Sequence, residues 1–241
     1  MGNSAGRCYP TKRRQMSAEP ENNMSNSLSP GAPKSLALWE VVSVVTSGLI
    51  AEWVVLSFAG GSKLIAAIPI LLACGLMAFS HRERGETLHE IGFRTDNFLS
   101  SCRLLLLPTA VAVLVIVAVG WFMSHSIFAG HFRARYFTLP LWALFQQYAL
   151  NGFINRRAQL ALGRGLNSIA LVAFVFALLH LPNPLLAIVT FIGGLIWAAV
   201  YQRQPNLFAL ALSHTVVSIT LALSISPNLL NSLRVGFKYF G

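Results

Sequence analysis

The sequence predicts an all-α, polytopic membrane helix bundle of about seven transmembrane spans, and three observations carry that prediction. Of its 241 residues, 55% are hydrophobic and only 11% are charged, whereas a soluble domain carries about 25% charged residues. The eight acids (Glu19, Glu21, Glu40, Glu52, Glu83, Glu86, Glu90 and Asp96) all precede residue 97, so 97–241 contain no side-chain carboxylate. Apolar stretches near the ~20 residues needed to cross a bilayer recur along the chain. The missing carboxylates exclude a paired-carboxylate mechanism confined to 97–241, and also a Mg²⁺ or Ca²⁺ cage built there.

Residues 1–34 read as a disordered basic cytoplasmic tail, polar and rich in Ser, Asn and Pro, and 35–241 as a transmembrane helical domain. The tail has no apolar run of its own, so it does not read as a cleavable signal peptide. Its Met-Gly-Asn-Ser-Ala-Gly start lacks the hydroxyl residue at position 6 that a myristoylation signal needs. The predicted spans are 36–58, 63–80, 102–123, 139–155, 168–181, 184–202 and 205–224, the fifth being short.

With the tail inside, thirteen bases fall on the inner side, among them Arg82, Arg84, Arg94, Arg103, Arg156, Arg157, Arg164 and Arg203. Five fall outside: Lys63, Arg133, Arg135, Arg234 and Lys238. This bias predicts N-terminus in and C-terminus out. Trp39, Trp53, Trp121 and Trp142 lie near span ends, as an aromatic belt places them. The net charge of +10 sits in short clusters between apolar runs, a pattern of bilayer topology, and no nucleic-acid partner is expected. Cys8, Cys74 and Cys102 make no metal or redox motif. The loop 81–101, with Leu88, Ile91 and Phe93 among charges, reads as a short amphipathic segment on the inner surface, and Gly163-Arg-Gly165 as a turn.

Polar groups at membrane depth are functional candidates. Span four places Gln146 and Gln147 mid-membrane with Asn151 one turn on; span five ends Phe176-Ala-Leu-Leu-His180; span seven holds His214 and Ser218 one turn apart. Taken singly, Gln146, Gln147 and Asn151 read as interhelical hydrogen bonding and His180 as a span-end group reaching interfacial water, a reading that mid-span His214 lacks. Taken together, they read as a site. Glu52 is the one carboxylate expected at depth in a span; by residue count it and Gln146 both lie roughly 9–11 Å from the outer ends at about 1.5 Å per residue. Glu40, beside Trp39, reads as an inner-surface residue.

These motifs resemble the CAAX-protease and bacteriocin-processing (CPBP, Abi) family of intramembrane proteases. Its members carry Glu-Glu-x-x-x-Arg, then Phe-x-x-x-His, then His-x-x-x-Asn on successive or later spans. Here the order is Gln146-Gln147-x-x-x-Asn151, Phe176-x-x-x-His180 and His214-x-x-x-Ser218, with a similar Gly-bearing stretch, Phe191 to Tyr201, between the histidines. The resemblance covers about residues 86–222. It implies an intramembrane endopeptidase of a membrane-embedded or lipidated peptide, in a bacterial inner membrane. It further implies that Gln146, Gln147, His180 and His214 occupy the catalytic positions, supported by Asn151, Phe176 and Ser218.

In the family the first glutamate activates water, and Gln146 cannot take that proton. Three readings follow. The chain hydrolyses peptides with His180 or His214 as base, or with Glu52 supplying the carboxylate from span one; it is a pseudoprotease that binds such a peptide; or it is a proton relay, which the carboxylate-free region disfavours. No cofactor is expected. Zinc on His180 and His214 is poorly supported unless Glu52 joins them.

Overall fold

In the computed structural model the structure describes residues 2, 34–58, 63–124 and 134–241. Most of the predicted tail therefore lies outside the described residues. Among the described residues seven longer helical segments and one short helix follow. The first, α1 (Lys34–Leu49), continues through a π-helical stretch, Ile50–Val55, and a last turn, Leu56–Phe58. Next come α2 (Lys63–Glu83), the short α3 (Leu88–Ile91) and α4 (Phe98–Ser124). The fourth long segment is composite: α5 (Leu139–Gln147), a second π-helical stretch (Tyr148–Asn155) and α6 (Arg156–Leu162). Then follow α7 (Leu166–Leu178), α8 (Pro184–Arg203) and α9 (Leu207–Ser224). Lys34–Val55, Phe98–Met123, Pro184–Arg203 and Leu207–Ser224 are long and apolar enough to cross a membrane.

The boundaries have local causes. Asn183 and Asn206 cap α8 and α9 by accepting from the Leu186 and Ala209 amides, and Thr87 with Glu90 forms a capping box on α3. Gly163 (φ +81°) and Gly165 (φ +129°) make the turn between α6 and α7 in backbone that L-residues avoid. Pro69 and Pro108 sit inside α2 and α4, as transmembrane helices tolerate.

The bundle is inverted relative to a soluble protein. Leu71, Leu72, Leu107 and Phe122 are 67%, 67%, 72% and 79% exposed, whereas Gln147, Asn151, Asn155 and Arg157 are completely buried. Large apolar groups outside and polar groups inside fit a lipid solvent. Close crossings use small residues. A Cβ on Gly194 would lie 2.8 Å from Ala173 Cα, where α7 and α8 cross, and one on Gly120 would lie 2.3 Å from the Ser224 oxygen, where α4 meets α9.

Two surface expectations are corrected. The loop after α2 is surface only in part: Leu88 is exposed, but Ile91 is buried and Phe93 packs on Tyr148 and Phe208. Its Glu86 is buried against two arginines. Oε1 accepts from Arg156 Nε (3.0 Å) and Nη2 (2.8 Å) and from Arg157 Nη1 (2.9 Å), while Oε2 accepts from Arg157 Nη2 (2.8 Å) and lies 2.5 Å from His81 Nδ1. Glu40 is likewise no free surface group; it accepts from Ser80 (2.9 Å) and Arg84 (3.0 Å) and lies 3.0 Å from Arg157 Nε. Two charged residues buried in an apolar bundle require partners. Burial pushes the Glu86 carboxyl up, but hydrogen bonds from His81 and Arg157 and the charges of Arg156 and Arg157 hold it well below the usual carboxylate range. This clamp ties α1, α2 and the α2–α3 loop to α6 at the basic end of the bundle.

Candidate functional site

A cavity of about 370 Å³ opens inside the bundle, within the roughly 300–1,000 Å³ of small-ligand sites. Its walls are mainly apolar, and its polar groups are Gln146, His180, His214, Ser218, Thr190 and Glu52. Phe176 lines it too. Six of the eight residues singled out from the sequence thus meet around one space. The other two, Gln147 and Asn151, are fully buried behind it. The adjacent glutamines have separated, Gln146 facing the cavity and Gln147 the helix packing.

Gln147 begins a chain of amides. Its Nε2 lies 3.2 Å from His214 Nδ1, and its Oε1 accepts from Asn151 Nδ2 at 2.7 Å. Asn151 Oδ1 accepts from Asn155 Nδ2 at 2.9 Å, and Asn155 Oδ1 accepts from Gln202 Nε2 at 2.9 Å. Gln202 Oε1 accepts from the Gly165 backbone amide at 3.0 Å. That amide can only donate, and the Ala198 carbonyl, which accepts from Asn155 Nδ2 at 3.3 Å, can only accept. The Gly165 amide at one end and the Ala198 carbonyl at Asn155 therefore set one direction for the whole chain. Its last member, His214 Nδ1, is an acceptor, so the neutral ring carries its proton on Nε2. Aligned dipoles of this kind reinforce one another.

His180 is oriented the opposite way. Its Nδ1 lies 2.7 Å from the Phe176 carbonyl and must donate to it, which leaves Nε2 as the lone pair. One histidine thus presents a donor nitrogen and the other an acceptor. Phe176 makes edge contacts with both rings, at centroid distances of 4.8 Å to His180 and 5.7 Å to His214. Trp197 lies along His214 at 4.5 Å and donates from Nε1 to Ser213 Oγ (3.1 Å), which in turn meets Thr109.

Several of these residues escaped the sequence reading. Asn155 and Gln159 continue the four-residue spacing of Gln147 and Asn151, a signal the sequence carries; Gln202, Ser213 and Trp197 act from other helices and leave none. Two π-helical stretches flank the cavity, one carrying Glu52 and the other running on from Gln147. Such distortions recur at functional sites. Glu52 Oε2 is buried and has no hydrogen-bond partner among the described residues. Beyond α9, residues 225–241 fold back over this end: Leu233 and Val235 line the cavity, and Gly236 (φ +56°) packs so closely that a Cβ there would lie 2.8 Å from Glu52 Cβ. Asn183 holds this segment by donating to the Leu230 carbonyl at 2.8 Å.

Among the described residues no group of three His, Cys, Asp or Glu lies close enough to hold an ion. His180 and His214 alone fall short of the three protein ligands of a catalytic zinc site.

An inverted helical bundle with an oriented histidine pair inside its span region defines an intramembrane protein with a polar internal site. The family model described as type II CAAX prenyl endopeptidase Rce1-like matches residues 136–220, about a third of the chain. The match contains Gln146, Gln147, Asn151, Phe176, His180, His214 and Ser218, and excludes Glu52. No curated protein and no solved structure matches the chain.

Proposed function

We propose that this protein is a CAAX-protease-like intramembrane endopeptidase that hydrolyses a peptide bond in a membrane-embedded or lipidated peptide. One observation carries the reading: His180 and His214, fixed in opposite hydrogen-bonding states, face the same mainly apolar cavity as Gln146 and Ser218. In this reading His214 Nε2–H donates to the carbonyl oxygen as negative charge develops there, and His180 Nε2 accepts from the attacking water. Gln146 has no partner of its own among the described residues and adds a second donor toward the carbonyl. The apolar wall takes the lipid chain or the apolar side chains. The Rce1-like match supports this substrate class.

A second reading has its own observation. Gln147 and Asn151, which stand where the family carries charged residues, are wholly engaged in internal hydrogen bonds. A neutral site of this kind suits a pseudoprotease that holds a peptide without cutting it.

One experiment separates them. The purified protein in nanodiscs is given a fluorogenic prenylated peptide ending in a CAAX sequence, and binding and cleavage are followed separately. Hydrolysis predicts cleavage that His180→Ala and His214→Ala each reduce by about 10²–10⁴. Binding without turnover establishes the second reading, and cleavage that survives both substitutions removes the site from the reaction. We also propose that the N-terminus is cytoplasmic and the host membrane a bacterial inner membrane, on the base asymmetry and the family likeness. Reporters fused before α1 and within the α4–α5 connection should report opposite sides.

A further inference from the structure

We infer that Glu52, on a helix outside the Rce1-like match, is the acid–base carboxyl of this site, standing in for the glutamate that Gln146 replaces. The inference rests on the hydrolase reading and deepens it.

Three observations converge on Glu52. It is the only carboxyl that lines the cavity among the described residues, and it shares that space with His180, His214, Gln146 and Ser218. Its Oε2 is buried and has no partner among the described residues, although buried carboxyl oxygens are ordinarily hydrogen-bonded. A structural glutamate in a bundle would be bonded to a neighbouring helix or drawn into an ion pair, as Glu40 and Glu86 are at the basic end. The third observation is the backbone. Glu52 lies within the π-helical stretch Ile50–Val55 and not in a regular turn, and Gly236, which cannot carry a side chain without overlapping Glu52, closes the chain over it. The fold thus keeps Glu52 in the cavity wall, with Oε2 buried and unbonded among the described residues.

The chemistry balances with water as the only co-reactant. The water oxygen forms a bond to the carbonyl carbon while the Glu52 carboxylate takes one water proton, and the carbonyl π electrons move to the oxygen held by His214 Nε2–H. The oxyanion then re-forms the C=O bond, and the C–N bond breaks. The nitrogen leaves with its bonding pair and takes the proton back from Glu52. The products are a carboxylic acid, which ionises, and an amine, and Glu52 returns to its starting state. His180 Nε2 orients the water throughout.

The test uses the full chain in nanodiscs and the same fluorogenic prenylated CAAX peptide. Glu52→Gln should lower kcat by about 10²–10⁴ and leave KM within about threefold. Glu52→Asp should retain part of the rate with an altered pH profile. Dicyclohexylcarbodiimide, an apolar carboxyl reagent, should add once to the unmodified protein at Glu52 and stop cleavage. If the unmodified protein cleaves and Glu52→Gln keeps a third or more of its kcat, Glu52 is not the acid–base group, and the hydrolase reading stands. If the unmodified protein binds the peptide and never cleaves it, both fall together. Should Glu52→Gln fail to fold, the reagent decides: an adduct on Glu52 with full cleavage overturns the assignment.

Discussion

Removing Glu86 is the most severe single change the bundle offers. Its two oxygens collect four hydrogen bonds from Arg156 and Arg157 and one contact with His81, and all three carboxylate and guanidinium side chains are at most 3% exposed. After Glu86→Ala, Arg157 keeps Glu40 and Ser80, but Arg156 keeps only neutral partners, the Glu90 carbonyl and the Tyr201 side chain. The change therefore strands one buried cation, which costs about 3–5 kcal/mol. At about 2–4 °C per kcal/mol for a chain of this size, thermal unfolding in detergent should fall by about 6–20 °C. The pH dependence has a definite sign. A carboxyl held low in the folded state stabilises fully above its unfolded pKa of about 4.3, and that stabilisation is lost as pH falls through the folded value. The unmodified protein should lose stability below about pH 4, and Glu86→Gln should lack that acid limb. A loss under about 1 kcal/mol, or an unchanged acid limb in Glu86→Gln, refutes the clamp.

Other substitutions probe the amide chain and the helix crossings. Asn155→Leu leaves Asn151 Oδ1 without a donor and takes one acceptor from Gln202, so stability should drop by about 1–3 kcal/mol by denaturant titration. Gln147→Glu places a carboxylate against His214 Nδ1, which should draw the ring proton from Nε2 to Nδ1; the ¹⁵N shifts of His214 report the exchange, and unchanged shifts reject the directional chain. Gly194→Ala must push α8 off Ala173 and should cost about 1–3 kcal/mol, whereas Gly75→Ala, with nothing within 4 Å, should stay within about 0.5 kcal/mol. Gly236→Ala meets both a positive φ and the Glu52 backbone, and should lower peptide cleavage more than it lowers thermal stability.

The helices were legible because most are long apolar runs, several bounded by Gly, Pro or capping Asn, although α7 has only 13 residues. The candidate site was legible where polar and aromatic side chains repeat at four-residue spacing, as in His214 and Ser218 within α9, or Phe176 at the end of α7 and His180 in the turn after it. It was not legible where partners come from elsewhere. Nothing in the composition of Glu86 marks it as the counterion of Arg156 and Arg157, 70 and 71 positions away. Glu40 beside Trp39 looks like an interfacial residue until Arg157 is found within reach of it. Both π-helical stretches are also invisible to a period-3.6 reading, because their residues are as helix-compatible as their neighbours.

The π-helical stretch Tyr148–Asn155 separates two parts of one helix that face different tasks. Before it, Gln146 and Gln147 address the cavity and His214; after it, Arg156 and Arg157 address Glu86. A regular helix turns about 100° for each residue, and a π-helical turn takes up an extra residue without lengthening the helix by a full turn. The stretch therefore sets the angular phase between site and clamp. Because the stretch already absorbs an extra residue, inserting one more into 148–155 would rotate the two ends against each other by about that angle, so that whichever end kept its partners, the other would turn toward lipid.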